Sequence, residues 1–151
     1  MSDDNDRIEK VVDLAAPVPK VWKALTDHEQ FGAWFQVRLD GPFRVGETTT
    51  GNITYPGAEH MKWESVTERL EPEHVFVFSW PPSAVDPDTE YADDAKVMVE
   101  FRLEPSAKGT RLTIIETGFS VFPESKRLDV LRSNTQGWDI QAENIAAYVE
   151  S

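Results

Sequence analysis

The spacing of apolar positions along this chain changes period twice. Residues 8–14 are rich in β-branched side chains and stop at Ala15-Ala16-Pro17, which predicts a strand closed by a residue that cannot donate to a ladder. Val18, Val21, Trp22 and Leu25 then recur at i, i+3, i+4 and i+7, one apolar face of a helix opened by Pro17 or Pro19. Thr26-Asp27 breaks that helix and caps a second, short one over about residues 29–35, with Phe31, Trp34 and Phe35 on its apolar side. Gly41-Pro42 and Val45-Gly46-Glu47 are turn signals, and after them the period falls to that of a strand.

Strand-like segments follow at residues 48–55, 61–70, 75–80, 96–103 and 110–117, most of them joined by short turns, so successive strands pair antiparallel. Alternation puts Phe76, Phe78 and Trp80 on one face, with Val97, Val99, Phe101 and Leu103, and puts Met98, Glu100, Arg102 and Glu104 on the other. The sheet is expected to be covered on one side only. Its cover is predicted over residues 125–149, where Leu128, Leu131, Thr135, Trp138, Ala142, Ile145 and Val149 form one helical stripe. Gly137 interrupts that helix and is expected to mark a kink or a close backbone approach beside Trp138. The segment at 81–95 is a long loop between two strands, placed to act as a lid.

Composition narrows the partners. The 151 residues carry 27 acidic and 15 basic side chains, a net charge of −12, which disfavours nucleic acid and anionic membrane surfaces because both need clustered Lys and Arg. The acidity itself is the mark of a solvated surface, with a high-salt habitat as an open alternative. No apolar run approaches the ~20 residues of a membrane span, and the acidic start lacks a secretory signal, so the expected compartment is the cytoplasm. Residues 1–6 are expected to be a flexible acidic lead and residues 7–151 a single domain. Absence of cysteine excludes disulfides, thiolate metal sites and a cysteine nucleophile.

Five Trp and eight Phe exceed what a minimal core needs. Phe31, Trp34, Phe35, Trp63, Phe76, Phe78, Trp80, Phe101 and Trp138 are the candidate lining of a pocket between the sheet and the last helix. The same rings would also serve as a solid core. Glu116 is the polar candidate: it continues the inward alternation of Leu112 and Ile114, and a carboxylate facing apolar surroundings has a raised pKa suited to acid or base work or to a ligand hydroxyl. Alternatively it pairs with an Arg or lies in water past the strand end.

His28, His60 and His74 are scattered and form no metal-ligand spacing. The acidic loop at 86–94 opens like a calcium loop, yet Tyr91 stands where the glycine belongs and Val97 where the bidentate Glu belongs. No metal or other cofactor is expected. There is no Gly-x-Ser-x-Gly elbow and no phosphate-binding glycine motif; Gly109 reads as a hairpin turn.

Ala16-Pro17 with Val21-Trp22, Ala24-Leu25-Thr26-Asp27, Phe31-x-x-Trp34-Phe35, Phe43-Arg44-Val45-Gly46-Glu47, Phe78-Ser79-Trp80, Gly109-Thr110-Arg111-Leu112-Thr113 and Gly137-Trp138 together resemble the stand-alone bacterial homologues of the activator of heat-shock protein 90 ATPase. That family lies in the START and Bet v 1-like (SRPBCC) superfamily. The resemblance implies an α+β helix-grip fold, a curved antiparallel sheet of about seven strands around a long C-terminal helix, with two short helices between the first two strands. It also implies a hydrophobic cavity, and it places Glu116 where the family often carries a polar residue.

The functional expectation is binding of a small hydrophobic or aromatic ligand in that cavity. A cyclase or hydrolase using Glu116 is the alternative enzyme reading, and a surface module modulating a chaperone in the stress response is the third. The eukaryotic namesake carries a further N-terminal domain not found in these residues, which ranks chaperone partnership below ligand binding. A homodimer is compatible with a one-faced sheet.

Overall fold

The computed structural model describes residues 7–151; the acidic lead expected at 1–6 lies outside them. Its elements run β1 (Arg7–Leu14), α1 (Val18–Thr26), α2 (His28–Phe35), β2 (Val37–Leu39), β3 (Thr48–Ile53), β4 (Lys62–Glu71), β5 (Val75–Trp80), β6 (Val97–Pro105), β7 (Thr110–Thr117) and α3 (Glu124–Val149). The seven strands make one antiparallel sheet in the order β1-β7-β6-β5-β4-β3-β2. This is the helix-grip architecture, with α3 against the concave face.

Local chemistry explains the joints. Asp27 ends α1 and starts α2: its carboxylate accepts from the backbone N–H of Glu29 at 2.9 Å and of Gln30 at 3.2 Å, satisfying two donors that the helix leaves free. Gln36 closes α2 in the left-handed region at φ 68° and turns the chain into β2. β2 is the strand that the periodicity did not separate, since three residues carry too little alternation to stand out. Gly32 is required there, because a side chain at that position would overlap the Val37 carbonyl oxygen.

The core lies between sheet and α3. Leu112, Ile114, Val99, Phe101, Phe76 and Phe78 are buried from the strands, and Leu131, Trp138, Ala142, Ile145 and Val149 from α3. Two parts of the expected stripe differ: Leu128 is exposed, and Thr135 is exposed with its hydroxyl donating to the Leu131 carbonyl at 2.7 Å. A turn at Phe119–Val121 sets Phe119 and Phe122 into the core ahead of α3, and the Arg127 guanidinium donates to the carbonyls of Phe119, Ser120 and Phe122. That clamp fixes where the helix begins, since its N-cap, Pro123, supplies no side-chain bond.

The convex face is less bare than expected. Val77 and Ile115, which flank Glu100 across neighbouring strands, are both buried, as is Ser79. A bulge between Thr67 and Arg69 turns Glu68 onto this face, where it accepts from the Ser79 hydroxyl at 2.6 Å and from Lys96 at 3.2 Å. Those two donors hold its carboxyl below the ordinary range.

Candidate functional site

The site is built where α3 passes the end of β5. Asn134, Gly137, Trp138 and Gln141 stand at i, i+3, i+4 and i+7, so one face of α3 presents all four. Opposite them are Trp80 from the end of β5 and Phe35 from the last turn of α2, with Ile53, Met61 and Val85 at the rim. The space enclosed is about 360 Å³, is open to solvent and has a mainly apolar lining.

The close backbone approach expected at Gly137 does not occur. The helix is continuous from Glu124 to Val149, and a Cβ built at 137 meets nothing within 4 Å outside the helix's own backbone. The glycine faces open space on the pocket wall rather than a packed neighbour.

Behind the wall is Glu116, fully buried at 0% exposure on β7. Its Oε1 accepts from the Trp138 indole at 2.8 Å and the Asn134 amide at 3.1 Å, and its Oε2 accepts from the Trp80 indole at 3.2 Å. Among the described residues no cationic side chain pairs with it, so neither the ion pair with Arg nor the solvated strand end describes its setting. Burial pushes its carboxyl above the ordinary range, and the three donors pull the other way without cancelling that rise.

Of the predicted lining, Phe35, Trp80 and Trp138 reach the pocket, and Glu116 lies one side chain behind it. Phe31, Trp34, Trp63, Phe76, Phe78 and Phe101 are buried and belong to the packed ring cluster instead. The reason is interlocking contact: Phe31 meets Trp34 at 4.9 Å and Trp63 at 5.6 Å, Trp63 meets Phe78 at 5.5 Å, and Phe78 meets Phe101 at 5.8 Å, edge-on or tilted. The indole N–H groups in the cluster are satisfied locally, Trp34 on the Ala24 carbonyl and Trp63 on the Ser65 hydroxyl.

Ser133, Asn134, Gly137 and Gln141 of α3, with Ile53, Met61 and Val85, are lining residues outside the predicted set. The signal for Asn134, Gly137 and Gln141 is the spacing just described, one residue round the helix from the apolar stripe.

The loop at 81–95 is pinned beside this wall. The Asp86 carboxylate accepts from Tyr91 at 2.6 Å and from Lys126 of α3 at 3.1 Å, and Lys126 also reaches Thr89 at 2.6 Å. The hydroxyl donors of Tyr91 and Thr89, with the Lys126 ammonium, hold the Asp86 carboxyl down at about 2. Burial, with Asp86 alongside, drives the Tyr91 phenol up to about 12. Val85, next to this knot, is the loop residue on the pocket rim.

A seven-stranded sheet closed over one long helix, with a pocket at the end of the groove, is the helix-grip class of START and Bet v 1-like proteins. Within it, the chain belongs to the family described as Activator of Hsp90 ATPase homolog 1-like protein, whose profile matches residues 15–150. Among solved structures it is similar to protein MLL2253 of Mesorhizobium loti, at 20% identity and TM-score 0.74 over 95% of this chain and 96% of that one. It is also similar to NE0264 of Nitrosomonas europaea, at 19% identity and TM-score 0.73 over 99% and 97% of the two chains. DynU16, from the dynemicin biosynthetic locus, matches at 22% identity and TM-score 0.71, over 97% of this chain and 48% of its own. These likenesses carry the fold. Comparison with curated protein sequences found no match. No helix among the described residues is long and apolar enough to cross a membrane.

Proposed function

We propose that the protein binds a small apolar or aromatic molecule in the pocket beside Gly137. The observation that carries this reading is a walled space coinciding with a missing side chain. A glycine inside a helix costs about 1 kcal/mol relative to alanine. Here no packed neighbour requires one, and what its absence of a side chain preserves is the volume between α3, Phe35 and Trp80. That volume falls in the range of small-molecule sites, and the lining of rings with a few polar groups has the chemistry of one. The pinned loop, with Val85 on the rim, supports a lid role for residues 81–95.

Catalysis by Glu116 is the second reading, favoured by its burial and raised pKa. Binding stands first because the carboxylate is separated from the pocket by the side chains that donate to it. The chaperone alternative rests on the family's name alone.

Titration with the neutral fluorophore N-phenyl-1-naphthylamine tests the pocket. The wild-type protein is expected to give a saturable fluorescence rise. Gly137→Leu, whose side chain enters open space, should keep the fold, melt at or above the wild-type temperature, and lose at least about 90% of the affinity, a tenfold effect. A folded Gly137→Leu protein that binds the probe as well as wild type refutes the pocket.

A further inference from the structure

We propose that the pocket selects organic cations, amines or quaternary ammonium groups carried on an apolar body; this rests on the pocket reading above. The inference comes from where the hydrogen-bond donors of the wall are spent. Both indole N–H groups point away from the pocket onto Glu116, so Trp80 and Trp138 offer a ligand only π surface. Their ring planes lie within 20° of parallel with centroids 6.4 Å apart, and Phe35 stands 6.3 Å from Trp138, so three rings border one space.

The amides are partly committed. Asn134 donates one N–H to Glu116 and Gln141 one to the Phe35 carbonyl, at 3.1 and 3.2 Å, and the Gln141 oxygen accepts from Asn144 at 3.1 Å. That leaves the Asn134 oxygen, one N–H on each amide and the Ser133 hydroxyl as polar atoms of the wall. Among the described residues no Lys or Arg lines the pocket, although several stand elsewhere on the surface. Three ring faces with no cationic side chain beside them favour a cation over an anion, and the uncharged polar groups of the wall do not oppose it.

Glu116 supplies the second, independent observation. A buried carboxylate is normally compensated by a positive charge, and here its contacts are two indoles and one amide, all neutral. Burial alone favours the protonated carboxyl, and a cation against the outer surfaces of those rings, a single layer of side chains away, would favour its ionised form. Hydrogen bonds from the indoles to the carboxylate also increase the electron density that their faces present. The net charge of −12 attracts the same class of ligand from a distance.

Isothermal titration with phenyltrimethylammonium and its neutral isostere tert-butylbenzene decides the matter, run in about 1 M salt, where a ~3 Å screening length removes the long-range attraction. The cation is expected to bind wild type about tenfold more tightly than the isostere, a ratio equal to about 1.4 kcal/mol. In Glu116→Gln, which removes the charge, the preference for the cation over the isostere should fall to about threefold or less. Equal binding of the two compounds by wild type, with both lost in Gly137→Leu, overturns the cation inference and leaves the pocket standing. Absence of binding by both compounds overturns the inference together with the pocket. The wild-type comparison holds whether or not the Glu116 variant folds.

Discussion

The two ends of the groove between sheet and α3 are made of the same residue types and reach opposite results. At one end Phe31, Trp34, Trp63, Phe76, Phe78 and Phe101 lock together at centroid distances of 4.9 to 6.0 Å and exclude solvent. At the other, Trp80 and Trp138 are held by their N–H groups on one buried carboxylate, and the helix opposite carries a glycine. Trp80 and Trp138 also pack against the filled cluster, at 5.3 Å from Phe78 and 5.9 Å from Phe101, and Trp34 and Trp63 there are likewise held by their N–H groups, so tethering alone does not separate the two ends. The difference lies in the open space that Gly137 leaves beside Trp80 and Trp138.

The largest expected effect comes from the filled end. Phe78→Ala removes a fully buried ring touching Phe76, Trp63 and Phe101, and should lower the unfolding free energy by roughly 3–5 kcal/mol in urea titrations. A loss below about 1 kcal/mol would mean that this end, too, has slack.

The next test concerns the tether. Glu116 has a raised folded-state pKa, so the native protein holds its proton more tightly than the unfolded chain does. Its contribution is fully present below the ordinary carboxyl pKa and is lost as pH rises from there toward the raised value. Urea midpoints of wild type should fall over that window relative to Glu116→Gln, which has nothing to titrate. Parallel pH profiles for the two proteins would place the carboxylate in a more polar setting than its contacts describe.

The smallest effect is expected at the loop. Lys126→Ala removes the α3 anchor of Asp86 and should speed hydrogen exchange at residues 85–91 with little change in the global melting temperature. Because Asp86 is held at about 2, its stabilising contribution is present above the ordinary carboxyl pKa and fades as pH falls through about 2. Acidification below that point should reproduce the exchange behaviour of the variant in the wild-type loop. Unchanged exchange in Lys126→Ala would show that Tyr91, against Phe122, is sufficient to hold the segment.

Side-chain parity made most of the architecture legible in advance. Period-two runs placed six of the strands, the seven-residue stripe placed α3, and the step from Leu112 through Ile114 set Glu116 on the inward side of β7. Parity says which way a residue faces and nothing about whether the space ahead of it is filled. That is why nine rings were expected at a pocket that three of them reach. The carboxylate's partners escaped for a related reason: Trp80 and Asn134 are separated by over fifty positions in sequence, and only the docking of α3 across β5 brings both to Glu116. Gly137 was visible as an anomaly, but a kink, a close approach and an empty wall leave the same mark in a sequence.

The ladder between β1 and β7 has a consequence for how the molecule is made. It pairs Arg7 with Thr117 and Leu14 with Thr110, so β1, made before the other described strands, waits for β7, the last of them. Until residues 110–117 and then 124–149 have emerged, the concave face with Phe76, Phe78 and Phe101 has no helix over it. Non-local pairing of this kind is slow to close, and a nascent chain in that interval displays an uncovered aromatic sheet to its surroundings. The same surface that becomes the floor of the finished groove is therefore the one most exposed to misassociation during synthesis.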